Sequence, residues 1–182
     1  MNQSEKRLFL IQSLLKERPE YRDIDIPAEP ESQRQLLRGL MNIRAPQRIG
    51  ADFLKMQDEY LQSETAAKGI TDIADLTPIQ PGLYLWQGDI TTLKCDAIVN
   101  AANSGMTGCY IPNHRCIDNA IHTYAGVELR LACEELISSL RSSNSLSFFV
   151  TRLSMIGPTV CSTYRQGRLN AGVIFACPVG SG

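Results

Sequence analysis

The sequence predicts an α/β fold: a mixed sheet layered with helices, preceded by a separate helical extension. Three observations lead there. Residues 1–78 carry their apolar side chains at helical spacing and show no catalytic cluster. From Leu83 onward, short apolar runs give way to a helical pattern, the order expected when helices cover a sheet. After Glu135 the composition changes abruptly, so the last part of the chain is expected to be an atypical, incomplete end of the fold.

In chain order, Glu5–Lys16 places Leu8, Ile11, Leu14 and Leu15 on one helical stripe that stops before Pro19. Pro27 and Pro30 mark a connector, and Ser32 is expected to cap a second helix reaching Arg44, with Leu36, Leu37, Leu40 and Met41 on its apolar face. A third helix is expected near Ile49–Lys68, packing through Phe53, Leu54, Met56 and Tyr60 and stopping at Gly69. Residues 70–82 read as a linker with Pro78 and Pro81. The division is therefore 1–78, helical extension, and 79–182, main domain. Leu83–Gln87 reads as a strand. Ala97–Asn100 extends an apolar run from Cys95 without alternation, as in a strand covered on both faces. A helical pattern runs from Asp118 through Ile121, Tyr124 and Ala125, breaks at Gly126 and resumes over Val127–Ile137; Phe148–Val150 and Val173–Ala176 are candidate later strands.

Composition excludes several function classes. A formal net charge of −1 gives no basic field for nucleic acid. No stretch approaches the ~18–20 apolar residues of a membrane span. The N-terminus mixes both charge signs and lacks a cleavage site, so a cytosolic location is expected, with neither nucleic acid nor membrane as partner. Six cysteines in such a chain are not expected to form a disulfide framework. Cys95 and Cys133 lie among apolar residues and read as core packing, whereas Cys109 and Cys116 flank His114 in a loop-like segment.

Two turns carry further chemistry. Gly88-Asp89-Ile90-Thr91 follows a strand: the pattern suits a simple turn, or a carboxylate that accepts from an exocyclic amine such as that of adenine. Asn100-Ala101-Ala102-Asn103 closes the next strand. Its small residues allow close approach of backbone to a ligand, and its amides offer donors and acceptors to sugar hydroxyls; Asn103-Ser104-Gly105 is equally natural as a turn. Ligands of open α/β sheets sit beyond the carboxyl ends of strands, where both motifs fall.

GDIT after an apolar strand, followed by DAIVNAAN, resembles the macrodomain family, which binds ADP-ribose. The continuation GMTGCYIPNHRCIDNAIHTYAGVELRLAC resembles the zinc-containing bacterial macrodomains, often encoded beside a sirtuin-type ADP-ribosyltransferase, which carry a helical extension of this kind. The resemblance covers Met1 to about Ile137. It implies a zinc-assisted hydrolase that removes ADP-ribose from ADP-ribosylated protein side chains. Asp89 would be the adenine-binding carboxylate with Ile90 its backbone neighbour, Asn100 and Asn103 would face the sugar, with Asn103 orienting the distal ribose, and Cys109, His114 and Cys116 would hold Zn2+. Two thiolates and one imidazole suit zinc, and three protein ligands leave a fourth position open, as catalytic sites do. A deaminase would need a Glu two residues after the histidine, where this chain has Cys116. His122 is expected to pack, and Asp118 to cap the helix that follows.

The resemblance fades beyond Ile137. Residues 136–182 hold no Asp, Glu, Lys or His, four Arg and nine Ser. At the density upstream, roughly six or seven acids would be expected, and an altered reading frame or a truncation would account for their absence. Two other readings therefore stand beside the hydrolase: a non-catalytic ADP-ribose-binding module, and a structural zinc protein.

Overall fold

A computed structural model describes residues 1–95, 98–100, 102–103, 105–143, 148–152 and 160–164, with side chains described through Ser139. Helix α1 spans Gln3–Lys16. It opens on a capping box: the Asn2 side chain accepts from the Glu5 amide at 2.9 Å and the Glu5 carboxylate accepts from the Asn2 amide at 2.8 Å. Helix α2 spans Pro30–Ile43. It starts earlier than expected because Pro30 occupies its first turn, where a missing N–H costs nothing. Glu29, rather than Ser32, is the cap; its carboxylate accepts from the amides of Glu31 at 2.9 Å and Ser32 at 2.5 Å. Helix α3 spans Ala51–Ala67.

The apolar faces of these helices meet in one core of Leu10, Ile11, Leu14, Leu37, Leu40, Met41, Phe53, Tyr60 and Leu61. Burying each such leucine or isoleucine contributes about 1.5–3 kcal/mol, so the stripes read from the sequence are what hold the extension together. Val127, far along the chain, closes the same core. The extension is thus packed against the rest of the molecule.

Residues 70–82 hold more structure than a linker. Strand β1 (Thr71–Asp72) leads to a 3-10 turn, then to β2 (Pro78–Gln80). Strand β2 pairs antiparallel with β3 (Leu83–Tyr84). A 3-10 turn over Ile90–Thr92 feeds β4 (Leu93–Lys94), which pairs in parallel with β1. The strand expected at Leu83–Gln87 is thus cut to two residues. Of Ala97–Asn100, Ile98 forms an isolated bridge and Ala97 lies outside the described residues.

Helices α4 (Ile117–Tyr124) and α5 (Val127–Ser143) follow, separated at Gly126 as the pattern predicted. They bury Ile121, Ala125, Leu129 and Cys133 against Ile90 and Ile98, with Cys95 packed alongside, which makes a second core and gives Cys95 and Cys133 their expected places. The fully buried Gln57 of α3 accepts from the Val127 amide at 2.9 Å and so caps α5 from the extension. Strands β5 (Phe148–Arg152) and β6 (Val160–Tyr164) form an antiparallel hairpin with Phe148 opposite Tyr164. The first was expected in shorter form and the second was not; Val173–Ala176 lies outside the described residues. Parallel and antiparallel pairings beside layered helices give the mixed α/β class the sequence predicted. Among the described residues no helix is long and apolar enough to cross a membrane.

Candidate functional site

The loop between residue 105 and α4 is organised around three side chains. One ligand atom each from Cys109, His114 and Cys116 lie within 4.8 Å of one another, and Cys109 Sγ is 3.5 Å from His114 Nδ1. Donors of one zinc ion, each at about 2.0–2.3 Å from it, stand no more than about 4.6 Å apart, so the cluster is on the scale of a metal centre. Two cysteines and a histidine are also the donor types zinc prefers. The loop bends back on itself through Asn113, whose φ is 55°, and a bond from the His114 amide to the Ile111 carbonyl at 3.2 Å.

Cys116 does two jobs. It is the N-cap of α4, its sulfur accepting from the Asn119 amide at 3.4 Å. That corrects the expectation that Asp118 caps this helix: Asp118 lies inside its first turn. Burial is the main force pushing the Cys116 thiol above its ordinary range, and the nearby Cys109 thiol adds to it, while the Asn119 N–H pulls the other way. Two apposed thiols of this kind are better as ligands of a shared cation than as free thiolates.

Asp118 is buried, 4% exposed, and faces inward. It accepts from Asn100 Nδ2 at 2.7 Å and lies 3.6 Å from His122 Nε2. Burial raises its carboxyl above the ordinary range. His122 packs in the interior as expected. Burial, helped by the Arg130 charge, lowers its pKa to about 4, which keeps the ring neutral near pH 7. The His122 ring also backs the loop: a Cβ on Gly108, where φ is 88°, would stand 2.7 Å from it. Asn100 Oδ1 is buried and has no hydrogen-bond partner among the described residues.

Asn103, expected to orient a ribose, also closes its own turn. Its Oδ1 accepts from the amides of Gly105 at 2.9 Å and Met106 at 3.1 Å, and its Nδ2 donates to the Gly108 carbonyl at 3.1 Å. Both ends of the amide therefore shape the turn that leads into Cys109.

Asp89 lies at the other end of the platform. Oδ1 accepts from the Thr91 amide at 3.0 Å and the Thr91 hydroxyl at 2.6 Å, and Oδ2 pairs with Lys68 Nζ at 3.1 Å. Burial works to raise its carboxyl, but the Thr91 bonds and Lys68 outweigh it and hold the group below 3.8, the ordinary value. Ile90 is 6% exposed and belongs to the second core. Lys68 also lies over the Tyr124 ring, 3.5 Å from its centroid. Tyr124 ends α4, and Cys116 caps its start. Eight helical residues at 1.5 Å each put about 12 Å between those ends.

Several contributors were not singled out in the sequence. Lys68 at Asp89, and Arg38, Asn42 and Arg130 at the loop, all act across long stretches of chain.

The chain is also similar to known proteins. Residues 99–156 match the Macro domain family. A Treponema medium protein named protein-ADP-ribose hydrolase is 56% identical over 137 residues, 73% of this chain and 52% of that protein. A Staphylococcus aureus (strain MRSA252) protein of the same name is 46% identical over 130 residues, 71% of this chain and 48% of its own. A Fusarium oxysporum f. sp. cubense protein named probable bifunctional ADP-ribose hydrolase/ADP-ribosyltransferase is 42% identical over 116 residues, 58% of this chain and 19% of its own. The chain spans about half the length of the two protein-ADP-ribose hydrolases.

Proposed function

We propose that this chain belongs with the protein-ADP-ribose hydrolases, and that its main domain, residues 79–182, removes ADP-ribose from modified protein side chains with the help of zinc. The observation that carries this reading is the convergence of Cys109, His114 and Cys116 within 4.8 Å, at one end of the helix whose other end abuts the Asp89 site. What zinc supplies when bound is Lewis-acid charge beside the bond to be cut.

The chain's own residues bind and orient the substrate. Asp89, held ionised by Thr91 and Lys68, accepts from the adenine amine, with the backbone of Ile90 beside it. Asn100 has its Nδ2 fixed by Asp118 and its Oδ1 unpartnered among the described residues, so it offers a preset acceptor to a ribose hydroxyl. Asn103 acts by holding the turn from Gly105 to Gly108 against the distal ribose. Neutral His122 supports that turn from behind. The acceptor is an ADP-ribosylated protein, and an ADP-ribosyltransferase must supply it; a sirtuin-type partner enzyme and a cytosolic setting, where the cysteines stay reduced, fit this role.

One observation favours a non-catalytic ADP-ribose-binding module instead: Asn103 has both ends of its amide engaged in the turn. The deciding experiment is release of ADP-ribose from an ADP-ribosylated protein, with and without a chelator, alongside calorimetric titration with ADP-ribose. Cys116→Ala should lose bound zinc and hydrolysis together. Full activity in that metal-free variant overturns the zinc-assisted reading, and ADP-ribose binding without release supports the binding module. Zinc without ADP-ribose binding would leave a structural zinc protein.

A further inference from the structure

We infer that helix α2 of the extension is a clamp on the Cys109–Cys116 loop, and that Arg38 and Asn42 are positioning residues that set the spacing of the three metal donors. The inference rests on the zinc reading above. Here four side chains outside the loop bond its main chain. Arg38 donates to the His114 carbonyl at 3.0 Å, and the Asn42 side chain accepts from the Asn113 amide at 3.0 Å. Asn119 donates to the Ile111 carbonyl at 3.0 Å and Arg130 to the Cys109 carbonyl at 3.2 Å. Two of the four come from α2, and two of the carbonyls held belong to ligands themselves.

The grips are tied to one another. Arg38 donates through two nitrogens, at 3.2 and 2.8 Å, to the same Asn119 oxygen. Asn42, 1% exposed, uses its Nδ2 on Thr123 at 3.0 Å, so its amide cannot turn without breaking a bond at each end. Arg130 reaches back to the carbonyls of Asn42 and of Arg44, the latter at 2.7 Å. Between Arg38 and Asn42, Gly39 faces the loop: a Cβ there would meet Asn113 Nδ2 at 3.4 Å and Pro112 Cβ at 3.7 Å, which is ordinary van der Waals contact.

Arg38 works on the metal donors as partners just outside a metal's ligands do: it fixes the backbone from which His114 projects. Loss of such a partner typically weakens metal binding by about 10–100-fold. The test is zinc affinity of the full chain, by competition with a chromophoric chelator, for the parent, Arg38→Ala and Asn42→Ala, with Arg34→Ala as control. Arg34 lies one turn away on the same helix and pairs with Glu31 and Glu64 rather than with the loop. Urea unfolding of the metal-free proteins runs alongside. Arg38→Ala should bind zinc about tenfold or more weakly while its metal-free unfolding midpoint stays with that of Arg34→Ala. Arg38 is half-buried, so this variant serves even if Asn42→Ala fails to fold. Equal zinc affinity in Arg38→Ala and the parent overturns the clamp, as does an equal loss in Arg34→Ala. A parent chain that binds no zinc overturns the metal reading itself, which is a different result.

Discussion

The two ends of the proposed ligand platform are built in opposite ways. At Asp89 the contacts are mostly local: both Oδ1 partners come from Thr91, two residues on, and Lys68 is the one distant group among the described residues. At the Cys109–Cys116 loop they are mostly remote, spanning 76 residues from Arg38 to His114, 71 from Asn42 to Asn113 and 21 from Arg130 to Cys109. A locally closed turn keeps its shape when the rest of the molecule shifts. A loop gripped from several elements keeps its shape only while those elements stay docked. The metal end should therefore be sensitive to substitutions far from it, and the Asp89 end should not.

Arg130 is the sharpest way to break that contrast. It is 4% exposed, lies 4.0 Å from the Tyr110 ring centroid, and serves the carbonyls of Asn42, Arg44 and Cys109. Burial lowers its pKa from the usual guanidinium range, while Tyr110, Asp118 and Cys109 act to raise it. Arg130→Met keeps much of the side-chain volume but orphans three carbonyls, each costing about 1–3 kcal/mol when left unpaired in the interior. A loss of about 3 kcal/mol in urea unfolding is expected, with zinc affinity falling as well and the Thr91–Asp89 turn unaffected. Gly108→Ala comes next. Its φ of 88° and the His122 ring at 2.7 Å both resist a Cβ. Strain of that kind costs about 1–3 kcal/mol, and thermal unfolding should show it.

This contrast also explains what the sequence disclosed. The three helices of the extension were legible because their core contacts recur at helical period within each segment, as the spacing of Ile11, Leu14 and Leu15 shows, although Leu10 rather than the expected Leu8 completes that face. The Cys/His loop was legible because its donors are close in sequence. The cap at Glu29 was missed because Pro30 can open a helix as well as end a connector. Asp118 was misplaced for a different reason. An Asp can cap a helix or accept from a remote amide; the choice is made by Asn100, which no short window contains together with a reason for it. The role of the extension was hidden for the same cause, since Arg38 and Asn42 look like ordinary polar positions until α2 is docked on the loop.

The smallest expected effect sharpens the other side of the comparison. Lys68 and Asp89 are both well exposed, at 34% and 45% of their side chains, so their pair is worth no more than about 1 kcal/mol. Lys68→Ala should shift unfolding by less than that and leave zinc affinity unchanged. Asp89 is held below its ordinary 3.8, and the sign follows from that direction. Its contribution is fully present above the unfolded pKa and is lost as pH falls through the lower folded one. ADP-ribose binding that depends on ionised Asp89 should thus be level between about pH 8 and 5, as far as this group is concerned, and fall only in stronger acid. Removing Lys68 takes away one of the forces that lower the carboxyl, so the acid limb should move upward in pH. A limb that stays in place would mean that Thr91 alone sets Asp89, which would make this end of the platform still more local than the structure suggests.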